Sequence, residues 1–247
     1  MADALPRVCI FGDSHYACLK QAQVRGLADL SGLDLEYWGH VGTRFRHLAF
    51  RDKAIHPTDD FTARRFAKFN AKGRLFLPAT DFDAILVMGA RVYVAPTILS
   101  LLHAQSHGPV VSAGLRHRML ADRMRGQMGY RLAAGLAASG PRVLLAPVSF
   151  PTEGVVPKPV LATAKVAASD PQLLAEYWAL LTAIAAEDGI TLLPQPADTV
   201  TAGCFTRADF AVAGHVARKD YEHKNPAYGA AVLAQALPIL RQVSRGP

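Results

Sequence analysis

The chain has 247 residues, 51% of them hydrophobic and 19% charged, with 27 Lys and Arg against 20 Asp and Glu for a net charge of +7. That length and apolar content can bury a full core and fit one domain over residues 1–247, while no apolar run approaches the roughly 20 residues of a membrane span. The amino terminus lacks a basic-then-apolar leader, and Cys9, Cys18 and Cys204 sit at no metal or disulfide spacing, so the expectation is a cytoplasmic protein with reduced thiols.

In chain order, Val8–Phe11 is a short apolar run that suits a buried strand, broken at Gly12 with Asp13 and Ser14 where a helix would begin. Residues 16–30 read as the first helix and 33–38 as a second strand ending in Gly39-His40-Val41-Gly42. Residues 43–80 read as a basic, irregular insertion with a helix around 60–70. Ala84–Met88 is a continuous apolar run of the kind found in central parallel strands. A helix is expected from Pro96 to about Ser106 and a longer one over 112–139, stopped by Gly140-Pro141. Val143–Pro147 is the fourth strand, and 149–159, with three prolines, a loop. Ser169-Asp170-Pro171 opens a helix to Glu187, 190–193 is the fifth strand, and Asn225-Pro226 caps the last helix. Strands alternating with helices argue for a parallel sheet covered on both faces.

The charge is uneven. Between Arg44 and Arg74 stand nine basic residues and three acidic ones, and a second arginine-rich stretch runs from Arg116 to Arg131. Such segments are commonly solvated helix faces, but they also create a positive field for an anionic substrate. Nucleic acid is the weaker partner, because the interleaved phenylalanines at 45, 50, 61, 66 and 69 also suit an apolar helix face.

The chemistry is suggested by the two ends of the chain. Gly12-Asp13-Ser14 places a hydroxyl after the first strand, and Asp220-Tyr221-Glu222-His223 places a carboxylate and an imidazole before the last helix. A hydroxyl nucleophile needs an imidazole base, and that base needs a carboxylate to hold its tautomer. On these two blocks, which bracket nearly the whole chain, the sequence resembles the SGNH (GDSL-type) hydrolases. The resemblance implies a flavodoxin-like α/β/α sandwich of three layers, with a central parallel sheet of about five strands. It also implies a serine esterase with Ser14 as nucleophile, His223 as base and Asp220 as its orienting acid. Oxyanion donors would come from the Ser14 amide, the Gly42 amide and an asparagine after the third strand. Here that last position is Arg91, in Gly89-Ala90-Arg91. Asp13, His15 and Arg91 are candidate substrate-binding residues, although Asp13 also suits the turn and His15 a helix start.

No metal or organic cofactor is expected; His103 and His107, at i, i+4, have no third ligand nearby. The expected substrate is a short-chain, acetyl-type ester of a carbohydrate or another small, anionic molecule, with no membrane partner. Two alternatives stand beside it: acyl transfer to an alcohol by the same triad, or a non-catalytic binding protein that has lost the asparagine donor to Arg91.

Overall fold

The computed structural model describes residues 5–40, 42–98, 100–101, 112–154 and 171–243. Its central sheet contains β1 (Arg7–Gly12), β2 (Asp34–Gly39), β6 (Ala84–Tyr93), β7 (Arg142–Val148) and β8 (Ile190–Leu192), in the order β2-β1-β6-β7-β8. Every neighbouring pair is parallel. Counting only these five strands, the order is 2-1-3-4-5, the flavodoxin-like doubly wound arrangement.

Strand alternation explains the layers. Val8 and Ile10 of β1, Leu86 and Met88 of β6, and Leu144 and Ala146 of β7 face one core. Cys9 and Phe11, Ile85 and Val87, and Val143 and Leu145 face the other. A sheet apolar on both faces must be covered twice. The first core is closed by α1 (Ala17–Val24) and α7 (Pro226–Leu240), through Leu19, Ala22, Tyr228, Val232, Leu233 and Ala236. The second is closed by α3 (Ala113–Arg125), α4 (Met128–Ala137) and α5 (Pro171–Glu187), through Leu120, Met124, Tyr130, Leu136, Leu181 and Ile184. The result is the three-layer α/β/α arrangement expected from the sequence.

The first helix, read over 16–30, stops at Val24, and three larger features depart from the sequence reading. The segment read as irregular holds β3 (Leu48–Arg51), β4 (Ala54–Pro57) and β5 (Leu77–Pro78), an antiparallel three-stranded sheet, with α2 (Asp60–Phe69) inserted before β5. The long helix expected over 112–139 is two helices, because Gln127 turns extended (φ −80°, ψ 134°) between α3 and α4. Its side-chain oxygen accepts the Tyr93 amide at 2.6 Å, a hydrogen bond that a continuous helix would not position. Finally, β6 runs on past Met88 to Tyr93 through a bulge. The helix expected from Pro96 is helical at 95–98 and 100–101; its remainder, with His103 and His107, lies outside the described residues, as do Ser169 and Asp170. A hairpin of β9 (Val200–Thr201) and β10 (Phe205–Thr206) and a short helix, α6 (His215–Arg218), complete the chain between β8 and α7.

Among the described residues no helix is long and apolar enough to cross a membrane.

Candidate active site

Open α/β sheets bind ligands at the carboxyl ends of their strands where the winding reverses. Here that point lies between β1 and β6, and β1 delivers Ser14 directly to it. Gly12 can hold no side chain: a Cβ there would lie 2.3 Å from the Met88 carbonyl oxygen, so only glycine lets β1 and β6 run this close before the turn. After it, Ser14–Tyr16 form one 3-10 turn leading into α1. Asp13, not Ser14, is the cap: its Oδ1 accepts the His15 amide at 3.2 Å. The Ser14 hydroxyl is thereby left for other work.

It lies 2.9 Å from His223 Nε2. On the far side of that ring, Nδ1 is 3.0 Å from both carboxylate oxygens of Asp220, and the His223 amide donates to Asp220 Oδ1 at 3.0 Å. Residues 209 positions apart therefore meet in one line, hydroxyl to imidazole to carboxylate. Burial alone would push the Asp220 carboxyl up, but hydrogen bonds from the His223 amide and ring and from the Glu222 amide hold it below the usual carboxylate range. Among the described residues the partners of the ring are Asp220 and Ser14, and Glu222, the other acid of this turn, makes no hydrogen bond to it. The His223 side chain is 41% exposed, so the pair opens to solvent.

The turn carrying Asp220 and His223 is fastened at several points. The Asp220 amide donates to the His215 carbonyl at 2.9 Å. Thr152, just after β7, donates its amide to the Tyr221 carbonyl at 2.8 Å. Lys224 bridges to Ala211, and the Asn225 amide donates to the Phe210 carbonyl. Asn225 then caps α7 as the sequence predicts, accepting the Ala227 and Tyr228 amides.

Around the nucleophile, Asp13 and His15 are 4% and 6% exposed. His15 Nδ1 is 2.7 Å from Asp13 Oδ1, and its ring stacks on His223, with centroids 5.4 Å apart and planes 19° from parallel. Burial would raise Asp13, yet the hydrogen bonds from His15 and the nearby Arg91 charge hold it below the usual carboxylate range. These two residues thus line the base of the site from within; neither is open to solvent.

Arg91 sits in an unusual backbone. Gly89, Ala90 and Arg91 all have positive φ (68°, 50° and 57°), where the β6 register against β7 shifts. For Ala90 and Arg91 that conformation costs about 1–3 kcal/mol each, and such strain persists only where surroundings enforce it. The enforcement is visible. The Arg91 amide donates to Asp13 Oδ2 at 3.2 Å, and its guanidinium donates to the Gly42 carbonyl at 3.2 Å. Gly89 passes so close beneath the turn that a Cβ would lie 2.7 Å from His15 Cβ and 2.8 Å from Asp13 Oδ1. Gly42, itself at φ 71°, begins the 3-10 segment Gly42–Arg46 after β2. The three positions expected to supply oxyanion donors, Ser14, Gly42 and Arg91, are therefore linked through Asp13 into one connected edge.

The Asn70 side chain serves the fold: its Oδ1 accepts the Gly39 amide at 3.0 Å, anchoring the end of β2 that leads to Gly42. Sequence reasoning overlooked Lys224 and Gln127. Their only signal was adjacency to His223 and the Gly126 before a helix restart. Among the described residues no group of three metal-ligating side chains is found.

A half-exposed hydroxyl–imidazole–carboxylate relay at the carboxyl end of the sheet is the geometry of an activated hydroxyl nucleophile. No family model and no curated protein matches this sequence. Among solved structures, it is similar to an acetylxylan esterase from Geobacillus stearothermophilus (16% identity, 99% of each chain, TM-score 0.42). It is also similar to a protein described as a GDSL-like lipase from Bacteroides ovatus (12% identity, 96% of this chain and 53% of that one, TM-score 0.39). An alpha/beta hydrolase enzyme from a Lake Arreo metagenome gives 14% identity, 99% and 98% coverage and a TM-score of 0.38. Likeness at this level carries no argument about chemistry, which rests on the geometry above.

Proposed function

We propose that the protein is a serine hydrolase that cleaves a short-chain carboxylic ester through an acyl-enzyme on Ser14. One observation carries this reading: Ser14 Oγ, the two ring nitrogens of His223 and the Asp220 carboxylate stand in hydrogen-bonded sequence at 2.9 Å and 3.0 Å. In the proposed cycle the Asp220 carboxylate accepts a hydrogen bond from the His223 Nδ1–H and stays ionised, which fixes the tautomer that leaves Nε2 to take the Ser14 hydroxyl proton. Ser14 Oγ attacks the acyl carbon, and the protonated His223 then gives its Nε2 proton to the departing alcohol. Water, activated by the same nitrogen, releases the acid and restores Ser14. The developing oxyanion would be met by the Ser14 and Gly42 amides and by the Arg91 guanidinium in place of an amide side chain; each such donor is typically worth about 10²–10³ in rate.

The substrate class we infer is a small ester, acetyl-type, whose alcohol part carries negative charge. The reading is supported by the Arg91 guanidinium at Gly42, by Arg46 exposed on the segment that starts there, and by Arg44, whose guanidinium lies 4.5 Å above the Phe61 ring.

The test is hydrolysis of p-nitrophenyl acetate and butyrate, with fluorophosphonate labelling, by wild type and Ser14→Ala. The expected outcome is turnover and labelling by the wild type and neither by the variant. A folded wild type that does neither would turn the reading towards a binding protein that uses the same cleft.

A further inference from the structure

Lys224 follows the proposed base directly, yet it is only 6% exposed. A lysine buried merely to fill space would be better replaced by methionine or leucine, because desolvating an ammonium is costly unless its donors are satisfied. Its donors are satisfied in a specific place. Nζ is 2.9 Å from the Tyr221 carbonyl and 2.9 Å from the Glu222 carbonyl, the two residues between Asp220 and His223. The Tyr221 carbonyl also accepts the Thr152 amide, so that oxygen is held from two sides.

The geometry of the turn makes this consequential. The two ends of the Asp-x-x-His segment are bonded ring to carboxylate, and the carbonyls of the two intervening residues both point to Lys224. Lys224 gathers both carbonyls onto one nitrogen beneath the turn. We infer that Lys224 is a positioning residue, whose Nζ locks the Asp220–His223 turn in the one conformation that sets the imidazole on Ser14. This rests on the reading of Ser14, His223 and Asp220 as the reacting triad.

Surrounding groups fit the role. Burial pushes the Lys224 ammonium down to about 7, while Asp220 and Glu222 in the turn pull the other way. Cys18 donates its own thiol to the His15 carbonyl at 3.1 Å, and its burial keeps it protonated, up to about 12. Asp220 and Glu222 supply the nearby negative charge, and in either protonation state the amine still offers at least two N–H bonds, which is what two carbonyls require.

The experiment compares wild type, Ser14→Ala, Lys224→Met and Lys224→Gln by thermal denaturation, p-nitrophenyl acetate kinetics and the rate of fluorophosphonate labelling. Methionine keeps the bulk and removes the donors; glutamine keeps two donors on a chain one bond shorter. The expected result is a folded K224M with kcat and labelling rate down at least thirtyfold and KM within twofold, and K224Q intermediate. Folded K224M with kcat within twofold of wild type overturns the assignment, as does K224Q no more active than K224M at equal thermal stability. Should K224M not fold, K224Q decides: a threefold or larger loss of kcat at unchanged KM supports the role, and kcat within twofold overturns it. If wild type itself neither turns over nor labels, the hydrolase reading fails and takes this inference with it. An active wild type with an indifferent Lys224 sinks the inference alone.

Discussion

At the scale of single residues, the position that separates this chain from the pattern it resembles is Arg91. The resemblance predicts asparagine there, and the backbone agrees in one respect: φ 57° is a left-handed conformation that asparagine tolerates better than most side chains. Arginine occupies it because the Asp13 carboxylate takes its amide and the Gly42 carbonyl takes its guanidinium. Arg91→Ala should lower kcat on a neutral acetyl ester by about tenfold or more through the lost donor. Arg91→Asn should retain more activity than Arg91→Ala because the amide fits the same backbone; equal kinetics for wild type and Arg91→Ala would remove the side chain from the reaction. Asp13 makes a different prediction. Folding holds its carboxyl below the usual range, so the native state favours the ionised form. That contribution is whole above the unfolded carboxylate value of about 4 and is lost as pH falls through the lower native value. The Tm gap between wild type and Asp13→Asn should therefore be widest near neutrality and close as pH drops below about 4. A gap constant with pH would mean that the carboxylate's charge plays no part.

At the scale of elements, the bulge in β6 shows where the sequence stops being legible. The apolar run Ala84–Met88, the Gly-Asp-Ser turn and the Asp-x-x-His block are visible because each is encoded locally, by alternation or by residue type. The flavodoxin-like arrangement and the pairing of Ser14 with His223 are what the family resemblance of those blocks implies; a parallel sheet alone says only that the blocks can gather at one edge. Nothing in Ala90-Arg91 announces left-handed backbone, since neither residue favours it; bonds from Asp13 and Gly42, distant in sequence, impose it. The same holds for the break after α3. The expected continuous helix is locally reasonable, and it is interrupted because Gln127 bonds the Tyr93 amide and Gly129 presses α4 against the bulge. A Cβ on Gly129 would fall 1.7 Å from the Ala90 carbonyl oxygen, an overlap only backbone movement can relieve. Gly129→Ala should thus destabilise the protein by about 2 kcal/mol or more and lower kcat by displacing Arg91. Gly114→Ala is the control, in α3 with open space around its Cβ; it should stabilise by about 0.5–1 kcal/mol, the ordinary gain from replacing a helical glycine. Chemical denaturation of both variants measures the pair. Equal effects would mean that the contact with the bulge has no energetic weight.

At the scale of the whole molecule, the question is what the surplus positive charge is for. It is concentrated in residues 44–74, whose helix α2 and small sheet stand beside the carboxyl end of β2. Part of it is spent internally: Glu36, buried on β2, holds both Lys72 and Arg74, and Asp81 takes Arg74 as well. Arg46, Arg64, Arg65 and Lys68 remain exposed, and Arg65 lies 5.4 Å above the exposed ring of Phe69. Arg46 stands on the segment that begins at Gly42, the residue Arg91 bonds, and a positive field at such a cleft is expected to raise encounter rates with oppositely charged ligands by about 10–10³. Salt tests this directly, because the Debye length shrinks from roughly 30 Å at 0.01 M to about 3 Å at 1 M. For acetyl esters matched in leaving group but carrying a carboxylate or no charge, kcat/KM on the anionic ester should fall about tenfold between low and high salt, mostly through KM. The neutral ester should change less than twofold, and replacing Arg46 and Arg65 together with glutamine should abolish the difference. Equal salt responses for the two esters would show that the charge serves solubility and the fold, and that the alcohol part of the substrate is recognised by shape alone.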